Sequence, residues 1–202
     1  MKRVAKAVAV ATMVMVAGTT GAKAKSIAEI SKVLQVGMKS GILVDQDHYT
    51  EKYFGFYLET KPKYLLKGVG VSAGVEITDG FLNVDDTYYD PTSGEDVRFR
   101  GQYEKTAGVL YLRITLPNRK TYFVVGKGKL DGRGVTANEY DYGYKFDMDG
   151  DRLVLGVGFK LTDKVDITVR RVIDDYEISF DDGVSKVDDT WKAWGLEIGY
   201  AF

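Results

Sequence analysis

The C-terminal stretch of the chain alternates strictly. Trp194, Leu196, Ile198, Tyr200 and Phe202 are large and apolar, while Ala193, Gly195, Glu197, Gly199 and Ala201 between them are small or charged. A period of two is the mark of a strand with two unlike faces. The same pattern runs through Leu153, Leu155, Val157, Phe159 and Leu161, set against Val154, Gly156, Gly158 and Lys160. It recurs with Val69, Val71, Ala73, Val75 and Ile77 against Gly70, Ser72, Gly74 and Glu76. Three more strands follow from Leu34–Val44, Tyr53–Glu59 and Leu110–Leu116, giving six with clear alternation.

Two further segments alternate less cleanly. In "TYFVVGKGKL", Tyr122 and Val124 are expected outward and Lys127 and Lys129 inward, which sends Gly126 and Gly128 to the outer face. In "VDITVRRVI", Val165, Ile167 and Val169 point outward, and strict alternation then places Arg171 among them. Either Arg171 snorkels to the membrane interface or a bulge shifts the parity beside Arg170. The total is eight strands, an even number as a closed up-and-down barrel requires.

Small residues decide what the less apolar face meets. Size is free on a solvated face, so a run of Gly and Ala there has no advantage; inside a narrow tube it does. The expected fold is therefore an all-β, eight-stranded antiparallel up-and-down transmembrane barrel spanning 32–202, with apolar side chains towards lipid. A soluble lipocalin-like barrel is the alternative. The connections favour the membrane form. Those after the second, fourth and sixth strands ("TKPK", "PNRK", "TDK") are tight, whereas 45–51, 79–107, 131–151 and 180–190 are long. Short turns at one end and long loops at the other are the asymmetry of outer-membrane barrels.

The terminal "GLEIGYAF" and the eight alternating strands make the chain resemble the small OmpA/OmpX-type outer-membrane β-barrels. That resemblance implies an assembly signal in the last strand, at Trp194, Leu196, Ile198, Tyr200 and Phe202, read by the barrel-assembly machinery. It also implies an outer-membrane location in a Gram-negative bacterium, contact with lipid and lipopolysaccharide, and a monomeric barrel.

The N-terminal residues support export. Lys2, Arg3 and Lys6 precede an apolar run over 7–18, and Ala22 and Ala24 flank Lys23 in an A-x-A pattern. Residues 1–24 thus read as a cleaved secretory signal peptide, since the run falls short of the roughly 20 residues of a helical span. Residues 25–31 follow as a short periplasmic segment.

Composition narrows the chemistry. The 202 residues include 23 Gly and 14 Tyr but only 3 Pro, and the absence of Cys excludes disulfides and thiolate chemistry. A net charge of −1 gives no reason to expect a nucleic-acid partner. Lys39, Glu59, Glu76, Arg113, Lys127, Lys129, Lys160, Asp166, Arg170 and Glu197 fall on the inward set. In so small a bore they are expected to form a polar plug of matched charges, with a narrow ion path as the alternative.

The four long connections hold 20 acidic and 6 basic residues, whereas the opposite turns carry Lys61, Lys63, Arg119, Lys120 and Lys164 against Asp163. Within 131–151, Asp147, Asp149 and Asp151 space oxygen ligands as calcium prefers. Gly150 and Gly158 break the EF-hand pattern, so a solvated turn is the preferred reading and no cofactor is expected. Within 79–107, "DVRFRGQYE" alternates and, with Tyr88 and Tyr89, suits a self-packed hairpin or a contact with protein or glycan.

The only His, His48, stands in "HYT", which lacks the H-x-S arrangement of lipid-deacylating barrels. The expected role is therefore non-enzymatic, namely envelope structure with surface-loop adhesion or masking. A lipid A-modifying enzyme and a small-solute pore are the competing readings. Deletion of Phe202 should lower the amount of folded protein reaching the surface, measured by surface labelling of intact cells; unchanged levels would remove the terminal-signal reading.

Overall fold

A computed structural model describes residues 33–47, 49–90, 94–138, 143–181 and 186–202. The proposed signal peptide and His48 lie outside this set. The strands are β1 (Leu34–Asp45), β2 (Thr50–Thr60), β3 (Lys63–Tyr64), β4 (Gly70–Asp90) and β5 (Glu95–Thr115). β6 (Thr121–Asn138), β7 (Gly143–Lys160), β8 (Val165–Phe180) and β9 (Lys186–Ala201) complete the order. Every pairing is antiparallel, and the long strands pair in chain order. β1 also pairs with β9, and β2 with β4, so the sheet closes on itself. The two-residue β3 pairs only with β4, leaving a ring of eight. This is the expected eight-stranded up-and-down barrel.

The distribution of burial is inverted relative to a soluble protein. Phe56, Leu110, Val157, Leu196 and Ile198 are each half exposed or more, whereas Glu51 and Asp174 are wholly buried. Apolar side chains clothe the outer wall and charged ones fill the bore, as a lipid-facing barrel requires.

Four cross-strand pairs tie part of the Gly and Tyr content together. Gly37 is the cross-strand partner of Tyr57, Gly41 of Tyr53, Gly74 of Tyr111 and Gly158 of Tyr122. In each pair the ring lies over the bare glycine. A Cβ on Gly74 would collide with the Tyr111 ring, and one on Gly158 would collide with that of Tyr122. These four inward glycines are therefore receptacles for aromatic rings, which lets large side chains fit a bore this narrow.

Two expectations need correction, and one open choice is decided. Tyr122 and Val124 point inward and Lys127 and Lys129 outward, the reverse of the expected parity; Tyr122 is fully buried, and both lysines are exposed. The first half of this strand is apolar on both faces, so alternation alone does not orient it. In the folded barrel the inward side of this strand is the one that seats the Tyr122 ring over Gly158, with Gly126 and Gly128 following on the same face. Second, the alternation of β8 continues unbroken, so Arg171 faces outward with no bulge.

Third, 79–107, 131–151 and 180–190 are not long loops. β4 and β5 stay paired as far as Asp90 and Glu95, and β6 and β7 as far as Ala137 and Gly143. The asymmetry between the ends lies in strand overhang rather than loop length. At the opposite end, 161–164 and 116–120 are tight turns. In the latter, Asn118 Oδ1 accepts hydrogen bonds from Lys120 N at 3.0 Å and Thr121 N at 2.9 Å. The "TKPK" connection is longer than expected, since β3 and a 3-10 turn at Leu66–Gly68 precede β4.

Replacing Gly74 with Val should force the Tyr111 ring out of its seat and cost about 1–3 kcal/mol, as overpacking does. The urea midpoint of the barrel folded into lipid vesicles should fall, and an unchanged midpoint would show that the ring–glycine seat is not required.

Candidate functional site

The interior polar side chains form three tiers. In the tier nearest the tight turns, Ser72 Oγ and Tyr111 OH donate to the two oxygens of Glu59 at 2.6 and 2.8 Å. Arg113 lies 3.3 Å from Glu59 and donates to Asp166 Oδ2 at 3.2 Å, with its guanidinium 4.2 Å from the centre of the Tyr122 ring. Lys160, half-buried, is the cross-strand partner of Asp166 at the rim of this tier.

The middle tier is a closed ring of four charges. Lys39 and Arg170 each bridge Glu76 and Glu197. Arg170 donates to Glu76 Oε1 at 2.5 Å, and Tyr53 OH donates to Glu197 Oε2 at 2.9 Å. Two cations and two anions leave this ring neutral. Of the residues expected in the plug, Lys39, Glu59, Glu76, Arg113, Arg170 and Glu197 lie in the bore within these ion pairs, Lys160 is half-buried at its rim, and Lys127 points outward.

A third tier, not anticipated from sequence, lies towards the overhanging strands. Arg152 grips Asp174 with two hydrogen bonds of 2.7 Å and reaches Glu51 Oε1 at 3.5 Å. Lys105 Nζ stands 3.1 Å from Glu51 and 3.6 Å from Asp174, and 4.0 Å from the centre of a Trp191 ring. It has no aligned hydrogen bond, so its attraction there is coulombic and cation–π. The sequence pattern puts Glu51 and Lys105 in loops because the lipid-facing alternation ends before them. The inward alternation continues past that point, from Tyr53 to Glu51 and from Val154 to Arg152, and this is the signal that marks the tier.

Above the third tier the bore opens into a cavity of about 730 Å³, lined by Asp45, Tyr103, Met148, Tyr176, Ile178 and Trp191 among others. Trp191 Nε1 donates to Asp45 Oδ2 at 2.8 Å, and Tyr176 OH to Asp189 Oδ2 at 3.0 Å. Its wall is uneven. β2 stops pairing with β4 at Leu82, and β1 stops pairing with β9 at Ala193. Beyond these points β4 through β9 continue as a six-stranded open sheet, with one edge of β4 over 83–90 and one edge of β9 over 186–192 left without a ladder partner among the described residues.

The outer surface of this sheet is charged. Arg98 makes two hydrogen bonds to Asp85, of 2.7 and 2.6 Å, and holds that carboxyl below its usual range. Because the folded value is lowered, the pair contributes above the ordinary carboxylate pKa and is lost as pH falls through the folded one. The described part of "DVRFRGQYE" forms the expected paired hairpin; of Tyr88, Tyr89, Val97 and Phe99 only the backbone is described. Asp147, Asp149 and Asp151 occupy the outer face of β7 rather than a turn. Lys129 binds Asp151 at 2.8 Å, and no acidic group suited to holding a metal ion occurs among the described residues. Trp194, Leu196, Ile198, Tyr200 and Phe202 line the outer face at the end of β9, all exposed.

No protein-family profile matches the chain, and no curated relative is detectable by sequence. Solved structures do resemble it. A major outer membrane protein of Thermus thermophilus superposes with a TM-score of 0.55 at 14% identity, covering 84% of this chain and 99% of that one. The N-terminal β-barrel domain of Pseudomonas aeruginosa OprF gives a TM-score of 0.52 at 12% identity, covering 83% and 97%. The chain therefore has the fold of the small outer-membrane β-barrels, and identities this low carry the fold and nothing finer.

Replacing Arg170 with Leu leaves Glu76 and Glu197 buried with Lys39 as their single cation. The expected cost is about 3–5 kcal/mol, the penalty of stranding a buried charge. It should appear as a lower urea midpoint in vesicles, while Arg98→Leu on the exposed hairpin should lower the midpoint far less, as the loss of an exposed pair does. In planar bilayers the wild-type protein should show no resolved single-channel steps, and clear steps would overturn the plug.

Proposed function

We propose that this chain is a non-enzymatic protein of the bacterial outer membrane, whose barrel is a sealed anchor and whose overhanging sheet binds an extended polypeptide at the cell surface. The observation that carries this reading is the six-stranded sheet left open above the short β1–β2 hairpin. A free strand edge presents unpaired N–H and C=O groups, and a partner segment can satisfy them by adding a strand. The β4 edge over 83–90 includes Asp85, Asp86 and Asp90 and no basic residue. Asp45, Asp47 and Asp189 line the adjoining cavity alongside Lys192 at its rim and Lys105, whose charge Glu51 and Asp174 already balance. The chemistry favours a basic extended segment, and such binding would serve adhesion or masking.

The neutral middle tier supports the sealed-anchor part of the reading, because a bore filled by interlocked ion pairs leaves little room for solute. Export by an N-terminal signal, handling by the barrel-assembly machinery and a monomeric state in lipopolysaccharide-containing membrane belong to the same proposal.

Asn83 and Gln102 are cross-strand partners, so 84–101 can be replaced by a two-residue Asn-Gly turn that keeps the register. Cells displaying this variant should capture an unstructured lysine-rich polypeptide on the order of tenfold less than wild-type cells, as expected when a strand edge and its charges are lost. Equal capture at equal surface levels would sink the proposal.

A further inference from the structure

Three cations on the outer wall have no counterpart in the sealed-bore account. Lys127, Arg171 and Lys192 all point outward from β6, β8 and β9. Lys192 pairs across with Ile173, Ile173 with Leu153, and Leu153 with Lys127, so the two lysines share one row of the sheet. Three strand spacings separate them, about 14 Å. Arg171 lies one outward position below Ile173 and between the two lysines. Its cross-strand partners are Trp194 and Leu155, both exposed and apolar. The three form a shallow triangle at the upper part of the apolar wall.

Such residues are costly where they stand. Arg or Lys on the lipid face of a barrel costs about 2–4 kcal/mol at the bilayer midplane, falling towards the interface. Among the described residues none of the three has a carboxylate within ion-pair distance. Asp151, in the next row up, is held by Lys129 at 2.8 Å, and Asp175 accepts a hydrogen bond from Thr190 Oγ1 at 2.8 Å. The Arg171 guanidinium instead faces the Trp194 ring, 5.2 Å away. Below Arg171 runs a groove of about 530 Å³ whose walls include Phe123, Val125, Leu155, Val157, Val169 and Trp194.

We propose that this triangle and groove form a binding site for one phosphorylated lipid of the outer leaflet, its phosphate on Arg171, Lys192 and Lys127 and an acyl chain in the groove. An Arg supplies a planar fork for phosphate oxygens, and two flexible lysines can close on it from either side. Three positive charges match a phosphate monoester, which carries nearly two negative charges near neutral pH, better than a diester with one. The Arg171 side chain finds in the headgroup the anion that the protein does not provide. This inference depends on the barrel lying in a membrane but not on the polypeptide binding proposed for its open sheet.

Trp194 makes the site measurable. The full chain is folded into phosphatidylcholine vesicles containing a minor fraction of phosphatidic acid with brominated acyl chains, and tryptophan quenching is recorded. Brominated phosphatidylglycerol and brominated phosphatidylcholine are the diester controls, and inorganic phosphate is added as a competitor. The wild type should prefer the monoester lipid on the order of tenfold over phosphatidylcholine, the scale of two or more basic groups at a lipid surface. The double variant Arg171→Leu, Lys192→Leu should lose that preference while still folding, as shown by heat-modifiable migration. Its new side chains suit the lipid face, so folding is not expected to fail. No preference in the wild type, or the same preference in the variant, would overturn the site. Equal preference for phosphatidylglycerol would overturn the monoester assignment, and displacement by millimolar inorganic phosphate would show that the acyl groove contributes nothing.

Discussion

A bore only eight strands wide must be filled by its own side chains, and in a low-dielectric interior each buried charge must find its opposite. Those two demands act together here. Filling needs large rings, and large rings fit where the facing strand carries no Cβ, which is why Tyr57, Tyr111 and Tyr122 lie over Gly37, Gly74 and Gly158. Neutrality needs cations and anions in equal measure, and the rings then supply hydroxyls and π-faces to the ion pairs they surround. Tyr53 donates to Glu197, Tyr111 donates to Glu59, and the Tyr122 ring lies against Arg113.

The same filling gives the barrel its division of labour. A wall held by three tiers of ion pairs is stiff and closed, so what varies is placed above it. The β1–β2 hairpin ends early and the other six strands do not, which turns the upper rim from a ring into an open sheet with two edges. The open edges lie above the third tier, where the bore widens and Trp191 and Tyr176 fold their polar ends onto Asp45 and Asp189. The ion-paired bore and the open rim are thus built by different parts of the same strands. On the outer wall, Lys127, Arg171 and Lys192 have no carboxylate partner among the described residues, and a lipid phosphate is the anion proposed for them.

Period-two alternation reports which faces are greasy, and along β1, β2, β7 and β9 it is enough to orient the membrane-spanning residues. Strand number, antiparallel order, the closed ring and most of the middle tier are readable on that basis, because lipid tolerates few exceptions on the wall it touches. Above the membrane the pattern carries no such constraint. Strands polar on both faces look like loops, so 79–107 and 131–151 read as loops and the tier of Glu51, Lys105, Arg152 and Asp174 stays hidden. The orientation of Tyr122 and Lys127 also needs the folded state, since that strand begins apolar on both faces and only the neighbouring strand supplies Gly158 as a seat for the Tyr122 ring. Local chemistry therefore determined the barrel, while the crowding of neighbouring strands decided which charges meet, how far the hairpins rise and which edges stay open.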